Sequence, residues 1–317
     1  MRIKKDTSYL SIVRKIARTC KLLVKGKYPH FMATFHLRIR VKFSNSLEGL
    51  ILHKIMSDRS INLNIFADKF AVRSYVEEKI GTEYLPRMLG FTHDESCIPW
   101  NNLPEEFVIK STHGSGGSVL VSKKADIKNT HNFDAKSWSK ILLHPQNLDR
   151  FRIQKFFKML LKQNYSHYPG FFEYAYSQIS PAIIIEELLC DDDGNIPSDY
   201  KFWCLNGKVE FIQVDTDRFG KHLRDFYDTE WNRISVTLTF PNSDFPSKAP
   251  YSLIDMIRIA EILSHGVLIL RVDLYEINKR VIFGELTNYP GGGIEKFHPR
   301  TFSIEMVSKV EADLLLP

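Results

Sequence analysis

Residues 107–124 read FVIKSTHGSGGSVLVSKK: an apolar run ending in Lys110, three glycines within four positions, and a second apolar run. The runs FVIK and SVLV predict two short strands, and HGSGG between them is turn chemistry. A tight hairpin needs only two turn residues, so Gly114, Gly116 and Gly117 exceed what the turn requires. Glycines let backbone amides approach a ligand and present several N–H donors at once, which suits phosphate oxygens. Lys110 would add a point charge to the same anion. The stretch is also compatible with a flexible hairpin carrying an exposed lysine, because it matches neither GxGxxG nor GxxxxGK[ST].

Further along the chain, carboxylates interrupt apolar strands. Asp273 falls inside ILRVDLYEI and Glu285 inside VIFGELTNYPGGG, with a turn at residues 276–280 between them. Returning strands would bring both acids to one sheet face, where two buried carboxylates repel unless paired or bound to a cation. Mg²⁺ takes one or two protein carboxylates plus substrate phosphates. Asp273 pairing with Arg271 or Lys110 is the simpler alternative. Pro290 and Gly291 to Gly293 make a second loop suited to close approach. In AIIIEELL, Glu186 and Glu187 follow four apolar residues, so this strand and the linker after it are candidates for binding an adenine edge and a ribose. Asp199, before the strand DYKF, is a further ribose candidate. Surface acids beside the Asp191–Asp193 loop fit the same composition.

The remaining pattern is mixed. NLNIFADKFAVRSYVEEKIG predicts a helix ended by Gly81, YLPRMLGFT a strand, and residues 126–180 an aromatic, helical stretch that includes Trp138, Phe156, Phe171 and Phe172. DYKFWCLNGKVEFIQVDTD predicts a hairpin turning at Asn206-Gly207, and LIDMIRIAEILSHG a helix ended by Gly266. The class is α+β. The chain is expected to divide into a basic helical segment (1–58), a linker with an N-terminal subdomain (59–105), a subdomain with the glycine hairpin (106–190) and a C-terminal subdomain carrying Asp273 and Glu285 (191–317).

The 317 residues, 44% hydrophobic and 25% charged, describe an ordinary globular chain. Four cysteines without a CxxC pair suggest neither zinc nor a disulfide framework, which fits a reducing cytoplasm. No apolar stretch reaches the roughly 20 residues of a membrane span, and cations interrupt any signal-peptide core. The net charge of +6 is asymmetric: residues 1–42 hold twelve Lys or Arg and one acid, a surplus of +11 that leaves −5 for the rest. Leu10, Val13, Ala17, Cys20 and Val24 recur there at helical spacing. A basic amphipathic helix of this kind binds an anionic membrane surface, at the inner face of the cell membrane, or packs on its own domain. No aromatic arrangement there points to nucleic acid.

In chain order, DKFAVRSYV, FVIKSTHGSGG, IIIEELL, DYKFWCLNGKV, DTDRF, FYDTEWN and FGELTNYPGGG resemble the TupA-like ATP-grasp proteins over residues 60–305. Those proteins are named for teichuronopeptide biosynthesis and often occur among surface-polysaccharide genes. The resemblance implies two α+β subdomains clasping ATP, and an amide-forming ligase that phosphorylates a carboxylate and captures the acylphosphate with an amine. It implies that Lys69 and Lys110 contact phosphates under a loop of His113, Gly114, Ser115, Gly116, Gly117 and Ser118, with Lys201 a further cofactor-binding residue. It also implies that Glu186, Glu187, Leu188 and Leu189 form the adenine hinge, that Asp199 contacts ribose, and that Asp273 and Glu285 bind Mg²⁺. Many ATP-grasp enzymes place Asn two residues after the second acid; here Thr287 stands there, a poorer ligand, with Asn288 next. Asp217, Arg218, His222 and Arg224 are candidates to hold the acceptor or its carboxylate, which Arg suits by bidentate contact, or else form a surface loop with ion pairs; Lys110 and Arg271 are further catalytic candidates. The substrate implied is a uronic acid or amino acid of a surface glycan such as capsule or O-antigen.

Two rivals stand beside this. Asp191-Asp192-Asp193 and Asp215-Thr216-Asp217 satisfy DxD, a metal and sugar-nucleotide pattern of glycosyltransferases. The other rival is a non-catalytic scaffold docked on membrane by its basic end.

Overall fold

The computed structural model describes residues 45–60, 62–128, 138–167 and 173–314. The basic run ending at Lys42, with its helical pattern, and the pair Phe171-Phe172 lie outside the described residues. Two five-stranded sheets face one another across a cleft, with helices on their outer sides, as the α+β expectation required.

The first sheet has the order β1-β5-β2-β3-β4, formed by Met88–Thr92 (β1), Phe107–Ser111 (β2), Ser118–Val121 (β3), Lys140–Leu143 (β4) and Ile183–Glu187 (β5). All its pairs are antiparallel except β3 with β4. One face presents Phe107, Ile109, Val119, Val121, Ile141 and Ile185 to the Arg150–Leu160 helix. That helix buries Ile153, Phe156, Phe157 and Leu160, one stripe at three- and four-residue spacing, and Asp149 caps it by accepting from the Arg152 amide at 3.0 Å. The other face, with Val108, Lys110, Ser118, Leu120 and Glu186, looks into the cleft. β1, from the 59–105 segment, is the edge strand of this sheet.

The second sheet is fully antiparallel, β10-β9-β6-β7-β8, built from Asp199–Leu205 (β6), Lys208–Thr216 (β7), Leu223–Tyr227 (β8), Ile269–Ile277 (β9) and Arg280–Thr287 (β10). Asn206 and Gly207 turn β6 into β7 with φ of 50° and 77°, as the Asn-Gly pair predicts. One face packs Phe202, Cys204, Ile212, Val214, Val272 and Leu274 on the Leu253–Ser264 helix. The opposite face is apolar at one end, where Trp203, Leu205 and Phe211 join a core with the Leu47–Ser57 helix (α1) and the Arg300–Leu314 helix. At its other end it is charged.

The helix expected over residues 62–81 is two helices, Asn62–Ala67 (α2) and Ala71–Ile80 (α3). The chain breaks at Asp68, whose carboxylate accepts from the Phe70 amide at 2.9 Å while the Lys69 amide bonds Thr112 O across the fold. Gly81 ends α3 at φ 110°, as expected. The aromatic stretch after residue 126 contains a strand, β4, that its four residues KILL did not disclose. No described helix is long and apolar enough to cross a membrane.

Candidate active site

The cleft between the sheets encloses about 320 Å³, within the range of about 300–1,000 Å³ usual for small-molecule sites. Its second-sheet wall depends on one irregularity. Phe283 pairs with Leu274 on the apolar face, whereas Glu285 pairs with Asp273 on the charged one, because the register shifts between them at Gly284. Two residues apart on a regular strand share a face. The bulge at Gly284 therefore turns Glu285 to the cleft, and a side chain at Gly284 would press on the Asp273 carbonyl and the Tyr275 ring.

The charged groups of this wall are laced together. Asp273 accepts from Arg271 through both oxygens, at 2.7 and 2.8 Å, and from Lys201 at 2.8 Å. Lys201 also bonds Asp199, which receives Arg218 at 2.8 Å and keeps its Oδ1 unpartnered. Arg271 donates to the Thr287 hydroxyl at 3.1 Å. Burial works against the charge of Lys201, and the Asp199 and Asp273 carboxylates overcome it, raising its pKa. Burial likewise works against ionised Asp199, and Lys201 and Arg218 outweigh it, driving its pKa far down. Glu285 makes no hydrogen bond or ion pair among the described residues. Burial raises its pKa, and Lys69, Lys140, Arg271 and Lys201 together lower it further, so it stays ionised.

On the lid side, Lys110 bonds Glu186 at 2.7 Å, and Arg73 holds the other oxygen at 2.6 Å. Lys69 donates to Gly114 O. Of the glycine loop, Ser115, Gly116 and Ser118 line the cleft. His113 does not: it is buried, with Nε2 at 3.0 Å from Leu160 O and its ring edge-on to Trp138, and burial pulls its pKa down. Gly114 and Gly117 also lie behind the cleft surface. The glycine surplus has a packing cause as well. A Cβ at Gly114 would enter the Trp138 ring, and one at Gly116, where φ is 82°, would strike the Trp138 carbonyl oxygen.

Glu186, Glu187, Leu188 and Leu189 line the cleft beside Pro197, and the Glu186 carboxylate already accepts from Lys110 and Arg73, one bond on each oxygen. Arg218, Arg271 and Thr287 line the cleft; His222 and Arg224 do not. Arg224 is buried and forms a two-point pair with Asp215 at 2.6 and 3.0 Å, and His222 stacks on Phe240 at 3.7 Å. The same pairing removes one DxD: Asp215 is consumed by Arg224 and Gln213, and Asp217 accepts from the Lys221 amide. In the other, Asp191 accepts from the amides of Asp193 and Asn195 in an exposed turn away from the cleft. Asn288 faces inward, accepting from Lys54 at 3.3 Å and donating to Leu63 O at 2.9 Å.

No group of three His, Cys, Asp or Glu able to hold a metal occurs among the described residues. One ionised carboxylate without a partner among the described residues, Glu285, beside Asp273 and a hydroxyl, fits a Mg²⁺ completed by phosphate oxygens rather than a protein-only cage. The sequence left Arg73, Lys140, Glu173, Tyr176 and Tyr289 out of the site. Arg73 lies one helical turn beyond Lys69, a spacing that could have revealed it; the others reach the cleft through tertiary packing.

A family model described as TupA-like ATPgrasp matches residues 48–309. No curated protein matches the sequence. Among solved structures, the chain is similar to the ATP-grasp ligase PsnB complexed with a minimal precursor, at 11% identity and TM-score 0.40, over 80% of this chain and 62% of that one. It is also similar to N5-carboxyaminoimidazole ribonucleotide synthetase in its ADP complex, at 12% identity and TM-score 0.40, over 71% and 45% of the two chains. A third is D-alanine–D-alanine ligase from Bacillus anthracis, at 12% identity and TM-score 0.39, over 79% and 68%. The chain thus spans about three fifths of the length of PsnB.

Proposed function

The chain belongs to the TupA-like ATP-grasp family, and from that premise we propose that it is an ATP- and Mg²⁺-dependent ligase. It joins a carboxylate to an amine through an acylphosphate, and the carboxylate belongs to a uronic acid or amino acid of a cell-surface polysaccharide. The observation that carries this reading is a cleft with lysines and a glycine loop on one wall and an ionised, unpartnered Glu285 on the other.

In the proposed reaction an oxygen of the substrate carboxylate attacks the γ-phosphorus as the bond to the β-bridging oxygen breaks, and ADP leaves. The amine nitrogen then attacks the acyl carbon, the carbon–oxygen bond to phosphate breaks, and the nitrogen's proton departs with the phosphate. Such catalysis is mostly positioning and charge neutralisation. Lys69 and Lys110 hold phosphate oxygens, and the Ser115 and Gly116 amides cover them. Residues 187–189 hold the purine and Asp199 Oδ1 a ribose hydroxyl. Arg218 and Arg271 neutralise the acceptor carboxylate as it approaches. Glu285, with Asp273 and Thr287 beside it, would hold Mg²⁺, which supplies positive charge to the phosphate oxygens.

We also propose that the enzyme works in the cytoplasm, peripherally at the membrane, and that the surplus of +11 in residues 1–42 is the membrane-binding element. Anionic vesicles should sediment the full chain and release it at high salt; equal binding to neutral vesicles would sink this.

Thermal unfolding tests the nucleotide reading first, because a ligand that binds only the folded state raises the midpoint. Mg²⁺ with ATP should raise it and UDP-sugars should not. A rise with a UDP-sugar alone would overturn the ligase in favour of sugar transfer. Screening acids and amines for ADP release then identifies the substrates.

A further inference from the structure

The cations of the cleft differ in one respect. Lys110 and Arg73 are bonded to Glu186, Lys69 to Gly114 O, Lys201 to Asp199 and Asp273, and Arg218 and Arg271 to the same two aspartates. Lys140 lines the same cleft and makes no hydrogen bond or ion pair among the described residues.

Its position is fixed by strand register. Lys140 opens β4 directly opposite Ser118 of β3, so its side chain shares the cleft face with Ser118 and Leu120, while Ile141 and Leu143 point into the lid core. Lys140 remains open to solvent. Desolvation by the surrounding protein lowers its pKa, opposed first by Glu285; the other charges acting on it, those of Lys201, Arg218 and Asp199, also belong to the far wall. Lys140 and Glu285 of the proposed metal-bearing strand thus line the same cleft from its two walls.

The segment before it ties this lysine to the glycine loop. The Ser118 amide donates to Ser139 O at 3.1 Å, and Trp138 lies so close to Gly114 and Gly116 that neither could carry a Cβ without displacing it; at Gly117 the Ser111 hydroxyl is the nearest obstacle. The loop and residues 138–140 thus form one packed unit.

We propose that Lys140 binds the terminal phosphoryl group of the nucleoside triphosphate, and that it gives the closed lid its preference for ATP over ADP. This rests on the nucleotide-binding reading of the cleft. A lysine suits the task as a point charge that needs no fixed fork geometry. Unlike the paired cations, it forfeits no partner among the described residues when the anion arrives. The phosphoryl group that Lys140 touches is the one transferred, so its contact is lost with ADP.

The test is calorimetric binding of a non-hydrolysable ATP analogue and of ADP, each with Mg²⁺, to the full chain and to Lys140→Met and Lys140→Gln. Wild type should bind both nucleotides, the analogue more tightly. Each variant should lose at least tenfold in affinity for the analogue and stay within about twofold for ADP, with an unchanged unfolding midpoint, since no hydrogen bond of the folded protein is removed. Equal weakening for both nucleotides would reduce Lys140 to general electrostatics and overturn the proposal. Unchanged affinity for both would remove Lys140 from the phosphate site. Wild type that binds neither nucleotide would overturn the ligase reading itself, and this inference with it.

Discussion

The two walls of the cleft handle charge in opposite ways. On the second sheet nearly every ion is answered by a neighbour, in a network that runs from Arg218 through Asp199, Lys201 and Asp273 to Arg271. On the opposite wall the ions are few: Lys110 and Arg73 share one carboxylate, and Lys140 has none among the described residues. The first arrangement is a rigid floor that folds around its own charges. The second leaves the lid dependent on what enters the cleft. Glu285 below and Lys140 above, which make no hydrogen bond or ion pair among the described residues, are where a metal ion and a phosphate would complete the proposed site.

Removing one partner of a buried ion pair elsewhere in the second sheet, outside the cleft, should have the largest effect. Asp215→Ala leaves buried Arg224 uncompensated, which costs about 3–5 kcal/mol, and denaturant titration should show that loss; a loss under about 1 kcal/mol would show the pair to be dispensable. Next in size, Glu285→Ala should cut ATP-dependent turnover about 100- to 1,000-fold, the scale of one preorganised electrostatic group, yet remain folded because it breaks no hydrogen bond. Near-normal turnover in the folded variant would take Glu285 out of the chemistry. On the lid, Gly116→Ala puts a Cβ against the Trp138 carbonyl at a left-handed φ. The conformational term alone is about 1–2 kcal/mol, read as a lower unfolding midpoint and weaker nucleotide binding. Unaltered stability would mean that Trp138 does not pin the loop.

The smallest effect concerns Lys54 of α1, which is buried and donates to Ile269 O at 2.8 Å. Burial lowers its pKa to about 8, against an opposing pull from Asp58. The folded protein thus releases this proton at a lower pH than the unfolded chain does, so stability rises with pH above about 8. The gain should be about 1 kcal/mol between pH 8 and pH 9. Lys54→Met should flatten that rise; an unchanged slope would assign it to other groups.

The glycine hairpin, the Asn206-Gly207 turn, β5 and the paired acids of β9 and β10 were legible because their signals are local: turn residues at fixed positions and acids inside apolar runs. What was not legible depends on contacts distant in sequence. Glu186 reads as a hinge acid until Arg73 and Lys110 meet it. Asp215 reads as half of a metal motif until β8 places Arg224 opposite. His113 reads as a loop residue until the end of the 150–160 helix supplies its acceptor. Lys140 sits in a strand of four residues, too short for a period to show. Gly284 was visible in GELT, but its meaning lay in a register shift that only the partner strand reveals.

Trp138 also gives the molecule a built-in optical gauge. Its ring lies against the lid glycines and edge-on to Tyr165 at 5.0 Å, whereas Trp203, one of the other three tryptophans, is sealed in the core. Any closing motion of the loop changes the polarity and quenching around this indole while Trp203 stays constant. The emission spectrum of the unlabelled protein would then follow lid closure in real time, and Trp138→Phe supplies the blank.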